Sequence, residues 1–440
     1  MKKISLEKIF CFISFLFILS CCIFYGIRFI KLYVQNEKDK IIEKNSLVKV
    51  IKENNEDNEK FVNIDDQIYF TNDTNNNYLM YSNLLWRIIK INEDNSIEAI
   101  SNNSLTSLAY GKNTNYLDSN INRWLNVNDN DDYSGILERQ LNNVSTYLQK
   151  TITCLDKIET INNNPCESID NNNYFSLLTT IDFANIGNKN SYIINNENFY
   201  LNNTNDKSEI WYVTDDGKIT LSKGNDIIGI KPVITIKSNI DYIGGNGTKE
   251  DPYTIEKENG LFGSYVKLGN DIWRIYKVEE DIVRLTLNDY IKSNDSDLTY
   301  NYSAINSYHD DTIYGGLAYY LNNNYLNSLS YKNLIEENNW PNGYYNDDNN
   351  YDYKSSLNKE VNTKVATISI GDIFLNQDLD DYFTMTGTAD KGNIIYTIKS
   401  NKKIYTKNVK SKSKIIPTIC LNKQLLIKGN GTVENPYETE

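Results

Sequence analysis

The polarity pattern divides the chain into an apolar start and a long polar remainder. Residues 9–27 (IFCFISFLFILSCCIFYGI) form 19 consecutive uncharged positions. As a helix the run would span roughly 28 Å, close to the hydrocarbon thickness of a bilayer. Lys2, Lys3 and Lys8 precede it, and Arg28 and Lys31 follow. Flanking charge therefore does not set its orientation, but a long polar domain after one N-terminal span translocates largely regardless of charge. The expectation is an uncleaved transmembrane anchor over residues 1–31 with a short cytoplasmic N-terminus and the C-terminal bulk outside. An A-x-A-like cleavage site is missing. A lipoprotein signal acylated at Cys21 is the competing reading, and the apolar run continuing past Cys21 speaks against it. Residues 32–60 are charged, and Ile41, Ile42, Leu47 and Val48 are spaced for a short helical stalk or linker.

Beyond residue 60 the pattern changes to short apolar runs separated by Asn, Asp, Ser and Gly, and it occurs twice. Gly245-Asn246-Gly247-Thr248-Lys249-Glu250-Asp251-Pro252-Tyr253 matches Gly429-Asn430-Gly431-Thr432-Val433-Glu434-Asn435-Pro436-Tyr437 at seven of nine positions. Trp86-Arg87-Ile88 matches Trp273-Arg274-Ile275 at an offset of 187, and Pro232-Val233-Ile234 matches Pro417-Thr418-Ile419 at 185. Order is kept and the offset barely drifts, the mark of a tandem duplication. Repeat domain one is placed at 61–256 and repeat domain two at 260–440, each large enough to own a core.

Within repeat one, 78–81, 84–91 and 97–101 read as strands because they are rich in aromatic and β-branched residues. Ser82-Asn83 and Asp94-Asn95 supply the turns. Repeat two repeats the pattern over 265–268, 272–278 and 283–287. Near the end of repeat one come 210–214, 218–221 and 232–236, with Asp215-Asp216-Gly217 as a hairpin signal. Apolar spacing over 134–148 and 316–329 predicts helices. Strands, then helices, then strands argue an α+β class, with one sheet assembled from both ends of each repeat. The two Trp residues are expected in the cores with each indole N–H partnered.

These motifs resemble an uncharacterised extracellular domain that recurs, often in tandem, in surface proteins of low-GC Gram-positive and mollicute-related bacteria. The carriers are the Trp-Arg-Ile strand, the closing Gly229-Ile230-Lys231-Pro232-Val233-Ile234 and the Gly-Asn-Gly-Thr…Pro-Tyr tail. The closing strand is also similar to that of sulfatase-modifying-factor and C-type-lectin-like folds. The resemblance implies two tandem β-rich domains of one fold on the cell surface, and brings no function with it beyond that location. Repeat two departs from it, since Lys414 stands where repeat one has Gly229.

Composition narrows the chemistry. The chain has 45 Lys and Arg against 58 Asp and Glu, a net charge of −13, which disfavours nucleic-acid binding. There are 68 Asn and seven Ala. An AT-rich genome enriches Asn and Tyr for reasons unrelated to structure, so their clusters weigh little. The one histidine, His309 in Tyr308-His309-Asp310-Asp311, has no counterpart in repeat one and reads as an exposed loop residue. Without serine-elbow, P-loop or dinucleotide motifs, no catalytic residue is assigned. No cofactor or metal is expected, because Asp129-Asn130-Asp131-Asp132 and Asn346-Asp347-Asp348-Asn349 lack EF-hand spacing. Cys154 and Cys166 are expected to form a disulfide in an oxidising exterior, and Cys420 to be a buried free thiol. Trp340, Tyr344, Tyr345, Tyr351 and Tyr353, with polar residues between the rings, are candidates for a ligand loop that stacks on a glycan. The expected function is a membrane-anchored, non-enzymatic surface protein for adhesion or for binding a carbohydrate or protein ligand. The alternative is a cell-envelope hydrolase working through paired carboxylates.

Overall fold

The computed structural model describes residues 46–112, 114–127, 134–160, 166–258, 260–308, 316–345, 360–376, 379–389, 391–399 and 403–439, with isolated positions 24–26, 28 and 31. Most of the expected anchor, His309, Tyr351, Tyr353 and both acidic stretches fall outside these residues. Among the described residues, no helix is long and apolar enough to cross a membrane.

The architecture is α+β and dominated by strand. In the first half the main sheet runs through Phe61–Ile64, Gln67–Phe70, Leu84–Ile91, Ile97–Ser101, Pro232–Ile236 and Phe175–Leu177. Tyr78–Tyr81 also pairs with Leu84–Ile91, and the tail strand Tyr253–Thr254 joins it in parallel. In the second half, Val365–Thr367, Pro417–Asn422, Ile282–Leu287, Asp271–Val278, Tyr265–Leu268 and Tyr437–Glu438 follow the same order. The outer hairpin Phe61–Phe70 is an addition to the first copy.

Registers coincide as well. Arg87 faces Ile100 and Lys90 faces Glu98, while Arg274 faces Thr286 and Lys277 faces Arg284. Both pairings carry a bulge at the same place, between Ile88 and Lys90 and between Ile275 and Lys277. Bulges re-aim side chains and bend the strand. The conserved Trp86 and Trp273 are fully buried, and their indoles donate to the Tyr81 carbonyl and the Tyr331 hydroxyl.

The Gly-Asn-Gly-Thr tails are superposable in hydrogen bonding. Gly247 and Gly431 accept from the amides of Tyr78 and Tyr265, both at 2.8 Å, and so dock the tail on the opening strand. Each tail needs glycine, because φ is +86° at Gly247 and +76° at Gly431.

Each half also holds a second sheet that the polarity pattern did not predict, of five strands in the first half and six in the second, where Tyr344–Tyr345 adds in parallel beside Tyr382–Thr388. In the first half it is ordered Ile219–Ser222, Ile210–Val213, Phe199–Thr204, Ile227–Ile230, Thr106–Ala109. The second half repeats it with Ile404–Asn408, Ile394–Ile398, Tyr382–Thr388, Lys412–Lys414 and Thr299–Asn301. Here Lys414 takes the place of Gly229: Phe199 pairs with Gly229 in parallel, and Tyr382 with Lys414.

Three further expectations need correction. Residues 46–60 do not stand off as a stalk. The helix Leu47–Asn54 buries Leu47, Val48 and Ile51 in the core of the first half, and the Leu47 amide donates to the Ile240 carbonyl. The helix expected over 134–148 breaks into Ile136–Gln140 and Val144–Tyr147, because Leu141 is extended and Asn143 is left-handed. Over 316–329 the helix is continuous from Leu317 to Ser328 but passes through a π-helical segment, Tyr320–Tyr325.

The halves pack against each other. Tyr345, Ile370, Ile373 and Leu375 from the second half belong to the core of the first. Trp124 donates to the Gly371 carbonyl at 2.7 Å, the Phe374 amide to the Leu105 carbonyl at 2.7 Å, and the Val278 amide to Gln140 at 2.6 Å.

Candidate functional site

The bulge on the Trp86 strand directs Lys90 toward the turn that follows strand Phe175–Leu177. There Thr179 caps the helix Thr180–Asn185, accepting from the Asp182 amide and donating to Asp182 Oδ2 at 2.7 Å. Lys90 Nζ lies 2.9 Å from Asp182 Oδ1 and 3.0 Å from Glu98 Oε2. The Tyr69 hydroxyl donates to the same Asp182 oxygen at 2.8 Å. Asp182, Glu98 and the Tyr69 hydroxyl are thus gathered around one ammonium with little water access.

Their electrostatics diverge. Burial alone would lower Lys90, but the two carboxylates outweigh it and hold the ammonium well above its ordinary value. Burial would likewise raise Asp182, yet Lys90 and the hydrogen bonds from Thr179 and Tyr69 keep it below the usual carboxylate value. For Glu98 burial wins over the attraction of Lys90, and its carboxyl is raised. The cluster floors a cleft of about 400 Å³ bordered by Asn92, Asn185 and the Cys154–Cys166 bridge, with Ile152 at 59% exposure on its wall.

The second half carries the same frame with different charges. Leu177 pairs with Pro232 as Thr367 pairs with Pro417, so Thr179-x-x-Asp182 corresponds to Ser369-x-x-Asp372. Lys277 holds the place of Lys90, but Arg284 replaces Glu98 across the ladder. Lys277 and Arg284 both pair with Glu279, at 2.9 and 3.1 Å. Burial raises the Asp372 carboxyl. A cleft of about 440 Å³ lies over these groups, and Ile136 and Arg139 of the first half close one side of it. This correspondence has an offset of 190, several residues away from that of the other motifs, and only the Ser/Thr-x-x-Asp spacing could have revealed it in the sequence.

The candidates read from the sequence are distributed as follows. Cys154 and Cys166 are bonded, with Cα atoms 5.8 Å apart. Asp156 lies beside them, but sulfurs tied in a disulfide offer no thiolate to a metal. Cys420 is free and buried, its thiol pushed up to about 12 by burial. Among the described residues of the expected aromatic ligand loop, Trp340, Tyr344 and Tyr345, none is fully exposed. Trp340 is buried, donates to the Thr363 carbonyl at 2.8 Å and is covered by the Arg284 guanidinium at 4.8 Å. Tyr345 is fully buried and its hydroxyl accepts from the Ala109 amide of the first half. Tyr344, next to it, is half-buried. Pairing in strands Asn338–Pro341 and Tyr344–Tyr345 turns these rings inward, where their area is worth more than in water.

No family model matches the chain, and neither the curated proteins nor the solved structures compared with it yield a match.

Proposed function

We propose that the protein is held at a bacterial surface by its apolar segment, residues 9–27, and that its two exterior modules, C-type-lectin-like in class, capture a ligand without transforming it. The observation that carries this reading is the cleft beside the disulfide. Its floor is an ion cluster already closed on itself, and its rim offers Asn92, Asn185 and the exposed Ile152. Amide groups beside an apolar edge suit a polar, sugar-like ligand. Both carboxylates of the floor are already paired with Lys90.

One observation favours a hydrolase instead. Glu98 is raised and Asp182 lowered within one cleft, and such a divergent pair is how acid and base roles are set. A glycan array with residues 32–440 separates the two readings. Retention that is lost in Asn92→Ala and Asn185→Ala supports capture. Sugar release that disappears in Glu98→Gln supports hydrolysis. Silence in both assays defeats both. Cleavage by protease added to intact cells tests the location, and a polypeptide left untouched there would overturn it.

A further inference from the structure

Lys231 sits directly before Pro232 and its side chain is wholly buried. A fully buried lysine requires a reason. The fold does not provide one, because the residue preceding the equivalent Pro417 is Ile416, also buried. The surroundings of Lys231 come from every second residue of one segment. Its Nζ lies 2.9 Å from the Ile193 carbonyl oxygen, 2.9 Å from Asn195 Oδ1 and 3.7 Å from Glu197 Oε2, and 4.9 Å above the Phe199 ring. Asn195 is held in place from its other side, since its Nδ2 donates to the Asn102 carbonyl at 2.8 Å and to Asn103 Oδ1 at 2.6 Å.

We propose that Lys231 and Asn195 join in an intramolecular isopeptide bond, with Glu197 carrying the proton. The Nζ lone pair attacks Asn195 Cγ. Glu197 takes a proton from Nζ and delivers it to Nδ2, the Cγ–Nδ2 bond breaks, and ammonia leaves. One amine and one carboxamide become one substituted amide and ammonia, with no oxidant or cofactor required. Glu197 ends as it began.

The electrostatics support the nucleophile. Burial lowers the Lys231 amine to about 8, against the opposing pull of Glu197, so near neutral pH an appreciable share is the free base. Lys90 has a carboxylate as close, but the charges around it hold it as an ammonium, and it is no competitor for this chemistry. The product would tie the closing strand to the segment that enters the second sheet.

The test is peptide mass spectrometry of the full chain, reduced, denatured and digested with trypsin. A branched species joining residues 190–207 to 224–237, lighter than the two peptides together by one ammonia, is the expected result. It should vanish in Lys231→Arg, Asn195→Ala and Glu197→Gln proteins. Recovery of the two peptides separately and at full mass from folded wild-type protein overturns the proposal. So does a branched species that persists in Asn195→Ala.

Discussion

The indole nitrogen of Trp124 donates to the carbonyl oxygen of Gly371 at 2.7 Å, and this bond joins the two copies of the fold. Trp124 is fully buried, and Gly371 presents its carbonyl from a left-handed conformation, φ +98°. The contact sits one residue before Asp372, so the interface and the second cleft share a turn.

Trp124→Ala should cost about 3–5 kcal/mol, since a buried indole is replaced by a cavity and the Gly371 carbonyl loses its donor. Urea unfolding of the full chain measures it. A variant as stable as wild type would show that the two halves do not depend on this contact.

The ion cluster predicts opposite results for two similar substitutions. Asp182→Asn at neutral pH leaves Lys90 with the raised Glu98 as its one remaining carboxyl partner, and should cost roughly 3–5 kcal/mol. Glu98→Gln removes a carboxyl that burial already disfavours when charged, and should be close to neutral. The pH dependence follows in sign. Asp182 is lowered in the fold, so its contribution is present above the ordinary aspartate value of 3.8 and disappears as pH falls through the folded one. Glu98 is raised, so its contribution is present below 4.5 and lost as pH rises through the folded value. Equal losses in both variants at pH 7 would contradict this assignment.

Breaking the Cys154–Cys166 bridge by a Cys154→Ser, Cys166→Ser pair should lower stability by roughly 3 kcal/mol, the chain-entropy value for so short a loop. Calorimetry with and without reductant should show the same shift in wild-type protein and none in the variant.

The tails predict a positional contrast among glycines. Gly431→Ala would place a Cβ 2.6 Å from Ser264 Oγ and from the Tyr437 ring, at φ +76°. It should cost about 1–3 kcal/mol through strain and displacement of the tail strand. Gly392→Ala meets nothing within 4 Å and should change little. Similar melting temperatures for the two proteins would mean that the tail does not hold the opening strand.

How much was legible depended on the range of the interaction. Strands Tyr78–Tyr81, Leu84–Ile91 and Ile97–Ser101 have the bounds their side chains imply, and Ser82 and Asn83 both take positive φ in the turn expected of them. Local alternation and turn chemistry decide such elements. The second sheet was less visible, because strands such as Thr106–Ala109 and Lys412–Lys414 are short and polar and gain their pairing from partners far along the chain. The aromatic cluster misled for a related reason. Trp340 and Tyr345 look like an exposed loop when read with their Asn and Asp neighbours, and only the contacts to Arg284 and Ala109 turn them inward.

Residue order alone determined the duplication, the opening and closing strands of each copy and the glycines its tails require, since all of these rest on near neighbours or on identity between copies. Tertiary structure alone decided that Lys90 meets Asp182, that Lys231 meets Asn195 and that Trp124 reaches Gly371. Those pairs are brought together by sheet order and by packing of one copy on the other, and a buried charge or donor finds its partner by position in space, whatever the distance along the chain.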